Sequence, residues 1–102
     1  MFEDEFQKRL KELRLNKKVS ARDMSLSIGQ NPNYISRIEN GITMPSMSAF
    51  LFICDYLKIT PSEFFDTENK QPDYLRNTMQ SLKKLDNEKL NAVLNLINIF
   101  TK

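Results

Sequence analysis

Apolar residues return every three or four positions through most of the 102-residue chain, the spacing of helices that bury one face. Phe6, Leu10 and Leu13, with charged residues between them, predict a first amphipathic helix over residues 3 to 15 whose polar face is basic. Asn16-Lys17-Lys18 breaks that pattern. Ser20 then predicts the cap of a second helix, with Asp23 at the capping-box position and Met24 and Ile28 turned inward. Gly29 follows where a left-handed backbone suits glycine, and Asn31-Pro32 supplies a side-chain cap and a first-turn proline for a third helix. The spacing therefore predicts two helices joined by the three-residue turn Gly29-Gln30-Asn31, a helix-turn-helix.

Ile35 and Ile38 form the buried stripe of the third helix and Gly41 stops it, which leaves Asn33, Ser36, Arg37 and Asn40 outward. Pro45-Ser46 predicts the start of a fourth helix with Met47, Phe50, Ile53, Cys54 and Leu57 on its inner face; Phe52 and Tyr56 then fall outward, one turn apart. Thr60-Pro61 starts a short fifth helix ending in Phe64-Phe65. Methionines 24, 44, 47 and 79 read as packing residues.

The wholly polar stretch DTENKQP, residues 66 to 72, reads as a linker. Beyond it Leu75, Met79 and Leu82 mark a sixth helix, and Asp86 begins a seventh that contains Leu90, Val93, Leu94, Leu96, Ile97, Ile99 and Phe100. The expected organisation is all-α: a five-helix helix-turn-helix domain over residues 1–66, a linker over 67–72 and a C-terminal helical hairpin over 73–102. The seventh helix carries more apolar positions than a surface helix requires, so it either packs on its own chain or joins a second copy.

Composition narrows the chemistry. Only two glycines and four prolines agree with a helical rather than sheet-rich chain. No apolar run approaches the roughly 20 residues of a membrane span, and Phe2-Glu3-Asp4-Glu5 is unlike a signal peptide, so a cytoplasmic location is expected. The lone Cys54 excludes an internal disulfide and reads as a small buried hydrophobe. Without histidine the chain lacks the usual general base and the commonest metal ligand; it has no nucleophile elbow or phosphate loop either. No enzyme activity, cofactor or metal is expected.

Charge is uneven. Residues 8 to 37 carry Lys8, Arg9, Lys11, Arg14, Lys17, Lys18, Arg22 and Arg37 against Glu12 and Asp23, a net +6 in a chain of net +2. A basic window that coincides with a helix-turn-helix points to phosphate and so to double-stranded DNA.

The string Tyr34-Ile35-Ser36-Arg37-Ile38-Glu39-Asn40-Gly41, followed by Pro45-Ser46, resembles the XRE/Cro-like family of bacterial and phage helix-turn-helix repressors, and the resemblance spans roughly residues 6 to 65. It implies five helices around the motif, with the third entering the major groove. By resemblance Asn31, Pro32, Asn33 and Arg37 face the bases. The chemistry agrees for two types, since arginine pairs bidentately with guanine and asparagine with adenine. Pro32 stands where relatives often have a hydrogen-bonding residue and offers only apolar contact. Ala21 stands where many have glutamine, so the resemblance implies that Ser20, Arg22 or a backbone N–H at the helix start takes over that phosphate contact. Lys17, Lys18, Ser36 and Asn40 complete the candidate phosphate set, and Arg14 with Glu39 matches a supporting ion pair in some relatives, expected to be worth less than about 1 kcal/mol.

The implied function is a sequence-specific transcriptional regulator, a homodimeric repressor that reads a pseudo-palindromic operator. Phe52, Tyr56, Leu90, Val93, Leu94, Ile97 and Phe100 are the candidate dimerisation residues. An alternative is an antitoxin or anti-repressor whose C-terminal helices bind another protein.

Overall fold

Three of the helices end in the same way, and these endings set the shape of the domain. The computed structural model describes residues 2–102, with side chains from Glu3 onward; among these residues every regular element is an α-helix, as the periodicity predicts. They are α1 (Phe2–Asn16), α2 (Ala21–Ser27), α3 (Tyr34–Glu39), α4 (Met47–Leu57), α5 (Pro61–Phe65), α6 (Pro72–Leu82) and α7 (Asn87–Phe100). At the end of α2 the Gly29 N–H bonds to Leu26 O and the Gln30 N–H to Ser25 O. At the end of α3, Gly41 and Ile42 bond back to Ile38 and Arg37 in the same pattern. Lys58 and Ile59 repeat it on Asp55 and Cys54 after α4.

This paired closure needs a left-handed residue at its centre. Gly29 (φ 78°) and Gly41 (φ 77°) supply it freely; Lys58 (φ 58°) does so against its own Cβ. A Cβ at Gly41 would stand 2.9 Å from Gln7 Nε2 of α1, the movable end of a side chain, so the backbone angle is what calls for glycine there.

Helix starts follow the sequence closely. Ser20, Ser46, Thr60 and Asp86 each accept a backbone N–H three residues on, and Thr60 with Glu63 forms a complete capping box. The start of α3 differs from expectation. Asn31 Oδ1 accepts the Asn33 N–H, so Asn31 caps as predicted, but it holds Pro32 and Asn33 in a turn and the helix begins only at Tyr34. The connection between α2 and α3 is accordingly longer than the three residues predicted.

The chain divides into two compact units at the boundary between Pro72 and Asp73. In the first, Phe6, Leu10, Leu13, Met24, Ile35, Ile38, Phe50, Ile53, Cys54, Leu57, Ile59 and Phe64 form one buried cluster. Burial of the larger members, at about 1.5–3 kcal/mol each, is the main force holding the helices together. Met47 does not join it: at the first turn of α4 it borders an open hollow, and Ala49 is buried instead. Met44 and Met79 are exposed as well, so of the four methionines read as packing only Met24 is in the core. Tyr56 was expected outward beside Phe52, but it flanks the α4 stripe and leans half-buried on the cluster, whereas Phe52 is exposed.

Arg9 is the least expected part of the interior. It is buried, donates from Nε to Phe64 O, and sets Nη2 against the carbonyls of Glu63, Asp66 and Asn69 at 2.8, 2.8 and 2.9 Å. Its Nη1 meets Glu12 at 2.7 Å. Glu12 in turn bonds Lys70, and Asn16 donates to Lys70 O. The polar stretch after α5 is thus fastened along α1, although its composition reads as a free linker.

The second unit contains α6 beyond Pro72 together with α7. No side chain of α7 is buried: Leu90 and Val93 are half-buried, and Leu94, Leu96, Ile97, Ile99 and Phe100 are exposed.

Candidate nucleic-acid interface

The short helix α3 has six residues and could not stand alone, since isolated helices below about 12–15 residues are marginal in water. Three contacts fix it. Ile35 and Ile38, both fully buried, seat its inner face. Ser25 of α2, also fully buried, donates its hydroxyl to Ala21 O at 2.7 Å and accepts the Ile35 N–H at 2.9 Å, so a side chain of one helix satisfies an otherwise orphan donor in the first turn of the other. Arg14 of α1 grips Glu39 with two bonds, Nε to Oε2 at 2.7 Å and Nη2 to Oε1 at 3.0 Å, while Nη1 donates to Val19 O.

That ion pair is more interior than the sequence suggested. The side chains of Arg14 and Glu39 are 10% and 7% exposed, so the surface-pair value of less than about 1 kcal/mol understates the loss of one partner. Hydrogen bonding to Glu39 raises the pKa of Arg14 beyond its already high ordinary value, against the opposing effect of burial. The pair is a fixed strut at the last turn of α3.

Opposite Ile35 and Ile38, the outer face of α3 is open. Asn33 and Arg37 are exposed and one turn apart, and neither side chain makes a hydrogen bond or ion pair among the described residues. Asn31 and Asn40 are exposed, and Pro32 and Ser36 are half-buried. The Ser36 hydroxyl donates to Asn33 O, and the Asn31 carbonyl oxygen is used in its turn, which leaves the Asn31 amide donors available. Tyr34 lies against the core, and burial pushes its pKa up.

Around the start of α2 stand Ser20, Lys18 and Arg22, all exposed, with Lys17 half-buried. Lys18 adopts a left-handed conformation (φ 59°) as the chain leaves α1. Ser20 spends its oxygen lone pair on the Asp23 N–H and keeps a hydroxyl proton to donate. Two members of the basic window do not belong to this surface: Arg9 and Arg14 are interior struts, so the solvent-facing charge is smaller than the count of cations implies.

Arg9 and Ser25 are the structural residues that sequence reasoning missed. The pairing of Arg9 with Glu12 is local, but the carbonyls that make Arg9 interior lie 54 to 60 residues away. Ser25 had a weak signal, being a small polar residue directly beside the inward Met24 of α2. Cys54 is buried, and burial, with Asp55 beside it, pushes its thiol up to about 11, which suppresses the reactive thiolate.

No helix among the described residues is long and apolar enough to cross a membrane. Comparison with protein families finds a match over residues 7–70 to the family described as helix-turn-helix domain. No curated protein and no solved structure matches the chain.

Proposed function

The chain belongs to the helix-turn-helix domain family, and we propose that it is a sequence-specific transcriptional regulator of the XRE/Cro type, a repressor that places α3 in the major groove of a pseudo-palindromic operator. The observation that carries this reading is the division of α3 into two faces. Ile35 and Ile38 anchor one side, and Asn33 and Arg37 stand unengaged on the other. An unengaged arginine is suited to guanine O6 and N7, an unengaged asparagine to adenine N6 and N7, each worth about 1–3 kcal/mol of discrimination. Asn31 adds amide donors and Pro32 an apolar contact to a thymine methyl. Lys17, Lys18, Ser20, Arg22, Ser36 and Asn40 hold the phosphates, with the Arg14–Glu39 strut keeping the end of α3 in place.

A second copy is part of the reading. One six-residue helix reads few bases, and a symmetric dimer spanning half-sites roughly 34 Å apart multiplies both affinity and specificity. Leu94, Ile97 and Phe100 of α7, exposed in the single chain, support assigning dimerisation to the C-terminal unit, with Leu90 and Val93 beside them and Phe52 and Tyr56 of α4 as further contacts.

The test begins with operator selection from random DNA by the purified protein. Arg37→Ala is then expected to lose about 1–3 kcal/mol on the selected operator while non-specific binding stays nearly constant. Equal losses on both DNAs would make Arg37 a phosphate contact, and no binding even at low salt would sink the proposal. Truncation after Pro72 keeps the carbonyls that Arg9 needs. The shortened chain should sediment as a monomer with weakened operator affinity; a persistent dimer would remove the assignment of the C-terminal unit.

A further inference from the structure

Beside the first turns of α1, the first unit holds a half-open cavity of about 390 Å³, within the range of small-molecule sites. Its floor is aromatic: the ring centroid of Phe6 lies 5.7 Å from that of Phe50 and 4.9 Å from that of Phe64. Phe65 forms a wall, 5.7 Å from Phe50 between centroids and yet 61% exposed. Met44 and Met47 form another, at 46% and 71% exposure. Apolar surface lining a concavity and left open to water is surface that the described residues do not use for their own packing.

Charge at the rim selects among occupants. Glu3 and Glu5 line the cavity, are exposed, and make no hydrogen bond or ion pair among the described residues. Among the described residues the one cation in the lining, Arg9, is already engaged by Glu12 and by carbonyls of the chain after α5. Ser46 is likewise occupied, capping α4. What faces an incoming molecule is therefore negative at the mouth, with the exposed ring of Phe65 and the thioethers of Met44 and Met47 as walls and the largely shielded rings of Phe6 and Phe50 beneath. Carboxylates attract a cation, ring faces attract it again through their quadrupoles, and methionine adapts to its apolar body. An anion meets repulsion at the mouth, and a neutral molecule gains only the walls.

We propose that this cavity binds a lipophilic organic cation, such as an aromatic quaternary ammonium or phosphonium ion. The occupant lies against Met44, Pro45 and Ser46, the segment that leads from the end of α3 into α4.

Tetraphenylphosphonium and tetraphenylborate, matched in shape and opposite in charge, make the test. Each is titrated into the full chain by calorimetry and followed by amide NMR. Saturable single-site binding of the phosphonium is expected, roughly tenfold tighter than the borate, with shifts centred on residues 44–47 and 64–67. The preference would run against the chain's net charge of +2, which alone favours the borate. Replacing both rim carboxylates, Glu3→Gln with Glu5→Gln, alters only exposed side chains and is expected to weaken the phosphonium roughly threefold or more and, by lifting the repulsion, to tighten the borate. Phe65→Ala should weaken both ions. Absence of saturable binding, equal affinity for the two ions, shifts centred elsewhere, or phosphonium affinity unchanged in the double glutamine variant would each overturn the proposal.

Discussion

Ser25→Ala removes one oxygen atom and tests how the two helices of the motif are joined. The hydroxyl accepts the Ile35 N–H at 2.9 Å, and both residues are wholly shielded from water. Without the oxygen, that N–H is left buried and unpaired, at a cost of about 1–3 kcal/mol. The substitution also ends the hydroxyl's bond to Ala21 O, at 2.7 Å, but that carbonyl can still accept within its own helix, so the donor's loss dominates. In a domain of this size about 1 kcal/mol moves Tm by roughly 4–8 °C, so a fall of about 5–20 °C is expected. Urea unfolding followed by circular dichroism measures the change directly. The midpoint should drop with an unchanged slope, because the surface exposed on unfolding is the same. Ser36→Ala is the control: its hydroxyl bonds Asn33 O on the half-buried outer side of α3, where water can replace it, and its effect should stay within about 0.5 kcal/mol. If Ser25→Ala falls in that same narrow band, the bridge is not what holds the first turn of α3.

Three further outcomes follow from the contacts. Arg14→Met and Glu39→Gln should each destabilise by about 3–5 kcal/mol by stranding a shielded charge or donor, while the double variant loses much less than their sum; additive losses in a double-mutant cycle would refute the strut. Lys58→Gly should gain up to about 1 kcal/mol, because glycine relieves the left-handed strain at the close of α4 and gives back part of that gain in unfolded-chain entropy; a lower urea midpoint would contradict this. Burial acts to raise the pKa of Glu12, but hydrogen bonds from Lys70 and Arg9 outweigh it and leave it lowered. A lowered carboxylate contributes stability that is full above its ordinary value of 4.5 and is lost as pH falls through the lowered value. The Tm difference between the parent chain and Glu12→Gln should accordingly be constant near neutrality and shrink in acid, and a difference that grows in acid would show the sign to be wrong.

Local signals were legible and distant ones were not. Ser20, Ser46, Thr60 and Asp86 could be read as caps because each acts on an N–H three residues away, and Gly29 and Gly41 because the backbone angle they adopt is their own property. The buried faces of α1 and α3 follow from spacing alone. Met47 shows the limit of that reasoning: it has the right period for the core, but whether a neighbour covers the first turn of α4 is not written in α4. Arg9 is the stronger example. As one cation in a basic window it looked like surface charge, and only the return of residues 63–69 to α1 turns it into an interior hub. Pro32 also misled by a short distance, since a proline suited to a first helical turn is suited equally to the tight turn just before one.

The carbonyls that Arg9 collects are made 54 to 60 residues after it, which has a consequence for the newborn chain. At a synthesis rate of about 5–20 residues per second, Arg9 waits on the order of 3–12 s for its partners to be added. The α2–α3 contact needs only ten residues of separation between Ser25 and Ile35 and is available almost at once. During that interval the Ser25–Ile35 bridge between α2 and α3 is within reach while α1 still lacks the chain that closes over it. A nascent chain arrested before residue 63 should therefore expose α1 to protease, and one released past residue 70 should protect it.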